Sequence, residues 1–230
     1  SQKEVFKGIL DELDQANDLF SKGADISGDF IYGGNVDKWC RLTNSFELYV
    51  LMNLYKKTSD NDLNVVNKFK EVAQRPLMRD YNDNFAITYN GAKGYCYPWS
   101  NTATDLNAFT QYTMLSTTYI DLLKGNRDRR LFYVAEPAES LLANGKIESD
   151  FDAYIGVEPS DEYSVTIDKK SNREYSDLNK RYIDLATAEP VGLFCHWDVE
   201  FILAEATVRG WIDDDAQTHY SNGIKSSMNF

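Results

Sequence analysis

The segment from His196 to Phe230, HWDVEFILAEATVRGWIDDDAQTHYSNGIKSSMNF, constrains the fold more than any other stretch of the chain. It reads as two helices joined by a short turn. Trp197, Phe201, Ala204 and Val208 recur at three- and four-residue steps, which puts them on one face of the first helix. Gly210 ends that helix, because glycine enters the left-handed region without a Cβ penalty. Asp213, Asp214 and Asp215 gather at the start of the second helix, where unpaired amides favour negative charge. Ala216, Tyr220, Gly223, Ile224 and Ser227 are expected to form its packing stripe. Small residues (Ala204, Ala206, Ala216, Gly223) facing aromatics let two helices lie close, as in tetratricopeptide-type hairpins. Such a hairpin builds a scaffold rather than a reaction centre.

The same period recurs upstream. Residues 3–22 carry the apolar stripe Val5, Phe6, Ile9, Leu10, Leu13, Ala16, Leu19 and Phe20. A second helix opens at Asn35 or Asp37 and runs to about Lys57, with Trp39, Leu42, Phe46, Tyr49, Val50 and Leu54 expected inside. A third, capped by Asp60 or Asp62, covers Leu63 to Gln74 with Val65, Val66, Phe69 and Val72 inside; Arg75-Pro76 stops it. Leu115 to Lys124 is a short helix. Between Leu77 and Thr113 the helical period disappears. Asn90-Gly91 there is a hairpin-turn signal, with Phe85, Ile87 and Tyr89 alternating ahead of it. Residues 132–190 read as irregular and acidic, with short strands expected at Tyr154-Ile155-Gly156 and Tyr163-Ser164-Val165. The expected fold class is mostly α: tetratricopeptide-like helical hairpins with long irregular loop regions and a few short strands.

Charge and motif content narrow the function. The chain carries 36 acidic and 24 basic residues, a net charge of −12. That balance argues against nucleic acid, which needs a basic footprint, and against adhesion to anionic lipid through protein charge. Cys40, Cys96 and Cys195 form no CxxC pair, and Cys40 reads as a buried thiol. Cys195-His196 has no second ligand pair at zinc spacing. Asp213 to Asp215 lack the spaced acidic ligands and glycine of a calcium loop. Gly33-Gly34 lacks the Lys-Ser/Thr of a phosphate loop. No Gly-x-Ser-x-Gly elbow is present, and no carboxylate pair is singled out for acid–base work. No catalytic residue, metal or cofactor is therefore assigned. No apolar run approaches the roughly 20 residues of a membrane span. No signal peptide or lipidation motif is visible, and the chain reads as a processed or partial one.

The ligand candidates lie in the aperiodic stretch. Tyr95, Tyr97 and Trp99 alternate around Pro98, with Asn101 and Asn107 downstream. An extended chain would turn the three rings one way, as flat faces for sugar rings or peptide side chains. The alternative is that these rings pin the loop onto the helical body. Tyr89 and Tyr112 are secondary candidates.

Several blocks resemble one family, the SusD/RagB outer-membrane nutrient-binding lipoproteins. The pattern "aEv.FllAEA..rGw" followed by "dA..yYe.GI.aSm" is matched by Asp198 to Ala206, Arg209-Gly210-Trp211, Asp215-Ala216, Tyr220, Gly223-Ile224 and Ser226-Ser227-Met228. Asp29 to Asn35, Lys38-Trp39 and Thr43 to Phe46 resemble "D.iYgGd..kW.kfaNSlrlrla", although Phe46 to Val50 replace the usual basic run. Leu122 to Leu131 resemble "LkgtnDPRL", with Arg129 where proline is usual. That substitution is expected to alter local stiffness.

The resemblance implies a non-catalytic binding protein for glycan or oligosaccharide, lipid-anchored on the cell surface. The anchor and signal peptide are not in this sequence. It implies delivery to a SusC-like, TonB-dependent transporter that faces the helical hairpins. The alternatives are a peptide-binding member of the family, or a tetratricopeptide-like adaptor that binds protein alone. Residues 1–230 are expected to form one SusD-like helical domain within a longer protein. In that reading residues 1–76 are helical, 77–113 loop-rich and ligand-facing, 114–131 helix and turn, 132–190 irregular, and 191–230 the terminal hairpin.

Overall fold

The computed structural model describes residues 1–100 and 113–230. Its helices are α1 (Gln2–Phe20), α2 (Val36–Asn53), α3 (Val65–Val72), α4 (Thr117–Gly125), α5 (Leu131–Val134), α6 (Glu139–Ala143), α7 (Tyr163–Ser171), α8 (Arg181–Asp184), α9 (His196–Val208) and α10 (Ala216–Met228). Two short strands, β1 (Phe85–Ile87) and β2 (Val191–Phe194), and a few 3-10 turns are the remaining regular structure among the described residues. The mostly helical fold expected from periodicity is the one observed. The chain divides into two compact units, Ser1–Ile87 with Val191–Phe230, and Thr88–Pro190.

In the first unit α2 is the spine. Helices α1, α3 and α9 all pack against it, so it is buried around most of its circumference. Leu42, Val50 and Leu54 are inside as expected, but Phe46 and Tyr49 are partly exposed. These two rings instead meet Phe194 from the side, at 5.6 and 5.8 Å. The positions a one-sided stripe would leave outside are filled by Cys40, Leu48, Leu51 and Met52, together with Asn44, Ser45 and Glu47. Buried polar groups need partners, and each of these finds one along a single stretch of chain, although Asn44 Oδ1 and Glu47 Oε1 accept no hydrogen bond among the described residues. Asn44 Nδ2 donates to the Pro76 carbonyl at 3.0 Å. Ser45 Oγ accepts from the Met78 amide at 3.0 Å. Arg41 donates to the Leu77 carbonyl at 2.9 Å. Arg75 donates to Glu47 at 3.0 Å and also reaches Asp14 of α1 and Glu71 of α3. Residues 75–78 are thus stitched along α2 by hydrogen bonds. Burial pushes the Glu47 carboxyl up to about 7, helped by the charge of Asp14 and opposed by Arg75 and Lys68.

The loop before α2 is organised by one carboxylate. Asp29 accepts from the amides of Ile31, Tyr32 and Gly34 and from the Trp39 indole at 2.8 Å. Gly34 sits at φ +90°, and a Cβ there would lie 1.9 Å from the Ile26 carbonyl oxygen, so only glycine fits. The Asp29-to-Trp39 block is therefore a structural clasp.

Element boundaries and two strand expectations differ from the sequence reading. The second helix stops at Asn53 and continues as a 3-10 turn at Tyr55–Lys57. Asp60 caps the turn at Asp62 and Leu63, and α3 begins two residues later. Strand β1 exists, but Asn90-Gly91 does not fold it into a local hairpin. Its partner is β2, antiparallel, with Phe85 opposite Phe194. Both phenylalanines pack in the same core, so shared burial selects the distant partner. Tyr163 to Val165 open helix α7 rather than a strand. Lys169 and Lys170 in its last turn suit the negative helix end, and Lys169 holds Asp161 at 2.7 Å. Tyr154 to Gly156 form no strand; the neighbouring Val157 makes a single bridge with Ser116.

The terminal hairpin forms as α9 and α10, with Gly210 at φ +70° in the turn. Helix α9 is buried on two sides. Val199, Ile202, Leu203 and Ala206 face the core, while Trp197 and Phe201 meet Phe230 and Tyr220. Val208 is 80% exposed, so the expected stripe ends at Ala204. On α10 the buried positions are Gly223 and Ser226, whereas Ile224 and Ser227 face outward. A Cβ on Gly223 would come 2.7 Å from the Phe201 ring, which explains the small residue there.

Both histidines of the chain lie in this seam. Glu200 Oε1 is 3.2 Å from His196 Nε2, and its Oε2 is 2.7 Å from His219 Nδ1. His219 Nε2 is 3.1 Å from Asp214, and His196 Nδ1 is 3.0 Å from Ser226 Oγ. Ionised carboxylates only accept, so a doubly protonated His219 satisfies both of its contacts. Burial opposes that charge, but Glu200 and Asp214 outweigh it and raise the His219 pKa. Burial likewise pushes Glu200 up, and its two histidine partners outweigh it and hold the carboxyl low.

In the second unit Ile120, Leu123, Leu131, Ala135, Ala153 and Tyr154 form the core. The region read as irregular is built from short helices joined by isolated bridges, Met114 to Asp177 and Ala135 to Leu178 among them.

Two stability predictions follow from these ion pairs. Arg75→Met leaves Glu47 buried without its main partner and is expected to cost about 3 kcal/mol at pH 8. Glu47 is raised, so the folded state holds a proton between the ordinary value of 4.5 and about 7. The cost should therefore shrink below pH 6, which urea unfolding at both pH values would test. The His219 contribution is complete below 6.5 and is lost as pH rises through the raised folded value. The Glu200 contribution is complete above 4.5 and is lost as pH falls through the lowered one. The seam should be strongest between these two pH values, and His219→Gln should flatten the alkaline fall in melting temperature.

Candidate functional site

Residues 88–100 of the second unit fold as a series of turns rather than an extended strand. Asn90 Oδ1 accepts from the Ala92 amide, the Asn90 amide reaches the Tyr95 carbonyl, and the Tyr95 amide returns to Ala92. The Tyr97 amide donates to the Ala186 carbonyl at 2.6 Å, which ties the stretch to the chain just after α8. Such turns break the alternation that would have aimed Tyr95, Tyr97 and Trp99 one way.

The three rings consequently take different positions. Tyr97 is buried, Trp99 is 39% exposed, and Tyr95 is 67% exposed with no ring contact among the described residues. Tyr97 meets Trp99 edge-on at 5.9 Å and Tyr89 edge-on at 5.5 Å. Tyr182 of α8 closes the cluster, 6.2 Å from Tyr97 and 6.4 Å from Trp99. The secondary candidate Tyr89 thus belongs to the cluster. Asn101, Asn107 and Tyr112 lie outside the described residues.

An arginine supports this platform from one side. Arg181 stacks on Tyr182 at 4.2 Å and on Tyr133 at 3.6 Å, and it donates to the Tyr182 hydroxyl at 2.6 Å. It also holds Glu189. Burial works against the guanidinium, but Glu189 and the Tyr182 hydroxyl outweigh it and keep the charge. Burial, with Glu189 and Tyr89 nearby, raises the Tyr97 phenol above its ordinary range, so Tyr97 is a neutral donor at physiological pH.

Chemically this is a partly wet aromatic platform with a fixed cation beneath it. Exposed Trp99 and Tyr95 present apolar faces and polar tips. Tyr182, Arg181 and Glu189 were not picked out by sequence reasoning. The adjacent Arg181-Tyr182 pair was the visible signal, but nothing in its spacing links it to Tyr97 about 85 positions earlier. Among the described residues no group of three or more His, Cys, Asp or Glu side chains is arranged to hold a metal. Among those residues no helix is long and apolar enough to cross a membrane.

By class this is a helical binding scaffold that carries aromatic residues on a turn-rich surface. Residues 1–230 match the SusD-like family, described as starch-binding and associating with the outer membrane. A SusD homolog from Bacteroides fragilis is 41% identical with a TM-score of 0.84, covering 100% of this chain and 48% of its own. A protein from Bacteroides vulgatus, described as an outer-membrane protein involved in nutrient binding, is 36% identical with a TM-score of 0.85, covering 100% of this chain and 50% of its own. A second Bacteroides fragilis SusD homolog is 37% identical with a TM-score of 0.83, again covering 100% of this chain and 50% of its own. No curated protein matches. The chain spans about half the length of these solved relatives. It belongs to the SusD-like family, whose members are non-catalytic binding proteins.

The platform predicts unequal costs for its rings. Tyr97→Ala removes a buried ring and should destabilise by about 3 kcal/mol. Trp99→Ala should cost less than Tyr97→Ala, since Trp99 is 39% exposed where Tyr97 is buried. Chemical denaturation of the two variants checks the difference.

Proposed function

We propose that this chain is the ligand-capturing part of an outer-membrane nutrient receptor, and that its ligand is a glycan. The observation that carries the reading is the partly exposed Trp99 and the exposed Tyr95 beside the packed Tyr97–Tyr182 pair, in a chain of a family described as starch-binding. Sugar rings stack their apolar faces on such aromatics, and neighbouring polar tips take the hydroxyls. Tyr95, Tyr97 and Trp99 are the proposed contacts, with Asn101 and Asn107 as hydrogen-bonding partners. Residues 1–230 act in this reading as one SusD-like domain, anchored by lipid at the cell surface. It hands its ligand to a SusC-like, TonB-dependent transporter.

Titration calorimetry of the intact chain against neutral oligosaccharides and peptides tests the reading. A neutral glycan should bind, and Trp99→Ala should weaken it by about tenfold or more, the loss of one stacking face. Undiminished binding by the variant would sink the site. Peptide binding without glycan binding would move the chain to the peptide-binding alternative, and binding of protein alone to the adaptor alternative.

A further inference from the structure

A second depression in the same unit carries unspent positive charge. The chain has nine arginines. Seven of them hold a carboxylate. Arg127 and Arg129 do not, among the described residues, although acidic side chains outnumber basic ones. Both line one open depression of about 860 Å³. Asp128, which lies between them in sequence, is taken by Arg130 at 3.0 Å. Lys146 also borders the depression, 3.8 Å from Asp152.

The floor beside these cations is aromatic. The Arg127 guanidinium lies 5.3 Å from the Phe151 ring centre, and Phe151 meets Phe132 at 4.7 Å. Both rings line the depression and are only partly buried. A guanidinium resting on a ring keeps its N–H edges for an outside acceptor, and its fork matches a carboxylate or sulfate.

Two further features mark this pair, the first shared with Arg173, which holds Glu139. Arg127 sits at φ +50°, a left-handed conformation in which asparagine or glycine is less strained. Arg129 stands where the family pattern carries proline. Stiffness was the expected consequence of that exchange, but the structure also puts a free guanidinium at the depression.

We propose that this depression is a binding site for the anionic group of an acidic oligosaccharide. Arg127 and Arg129 grip the carboxylate or sulfate, and Phe132 and Phe151 meet the sugar ring. Glu148 and Asp150, on the same border, accept from ring hydroxyls. The sugar in this proposal rests on the glycan reading above; the anion rests on the arginines alone.

Calorimetry of the full chain with oligogalacturonate, its neutral methyl ester, a sulfated galactose oligomer and a neutral malto-oligosaccharide tests it. An acidic oligomer should bind, and the methyl ester should bind at least about tenfold more weakly than the acid. The double variant Arg127→Asn with Arg129→Ala should lose at least as much. Raised salt should weaken the acid selectively, because the site is open to solvent. Arg127→Asn alone should keep or raise the melting temperature, as strain is relieved; a merely structural Arg127 would lower it. Equal binding of acid and ester, an unaffected double variant, or no binding of either anionic oligomer overturns the proposal. Loss of the neutral ligand alone would count against the Trp99 site and leave this one standing.

Discussion

A helix surrounded by other helices must find partners for the polar side chains it buries, and α2 shows how much structure that requirement can dictate. Asn44, Ser45 and Glu47 are buried among its apolar neighbours. None can reach water freely, so each fixes a piece of chain that would otherwise wander. Residues 75–78, which follow α3, are held in a defined path because Arg75, Pro76, Leu77 and Met78 each meet a group on α2. The Asp29 clasp does the same for the loop entering α2, through Trp39. The apolar core supplies the general driving force for burial. These directional contacts select one path among many of similar area.

The second unit follows a different principle. Its apolar core is small, and its helices α5, α6 and α8 are one turn or slightly longer. Isolated bridges and side-chain contacts carry more of its order. Arg181 illustrates this by joining Tyr133, Tyr182 and Glu189 with one side chain. A unit organised this way tolerates changes in its surface loops.

The long periodic segments were legible in the sequence because a 3.6-residue stripe and a capping residue are local signals. Ser1, Asn35 and Asp215 cap α1, α2 and α10 with their side chains. Helix α2 was legible as a helix but not as a spine, since a stripe reports one buried face and cannot report burial on the others. The β1–β2 pair was misread as a local hairpin because its partner lies about 100 residues on and only the shared core identifies it. In α7 a short Tyr–Ser–Val alternation imitated a strand, yet no residue of that helix is buried. The aromatic stretch was visible as composition. Its geometry was not, because turns around Asn90 and Tyr97 decide where each ring goes, and Tyr182 comes from a distant helix.

The placement of both imidazoles in the α9–α10 seam has a practical consequence. Ring resonances of His196 and His219 are the only histidine signals the chain can give. They report hydrogen bonding at Glu200, Asp214 and Ser226. The molecule therefore contains its own two-site spectroscopic probe of hairpin closure, free of overlap and needing no label. Any partner that docks on the terminal hairpin and disturbs that seam would announce itself in those two spin systems.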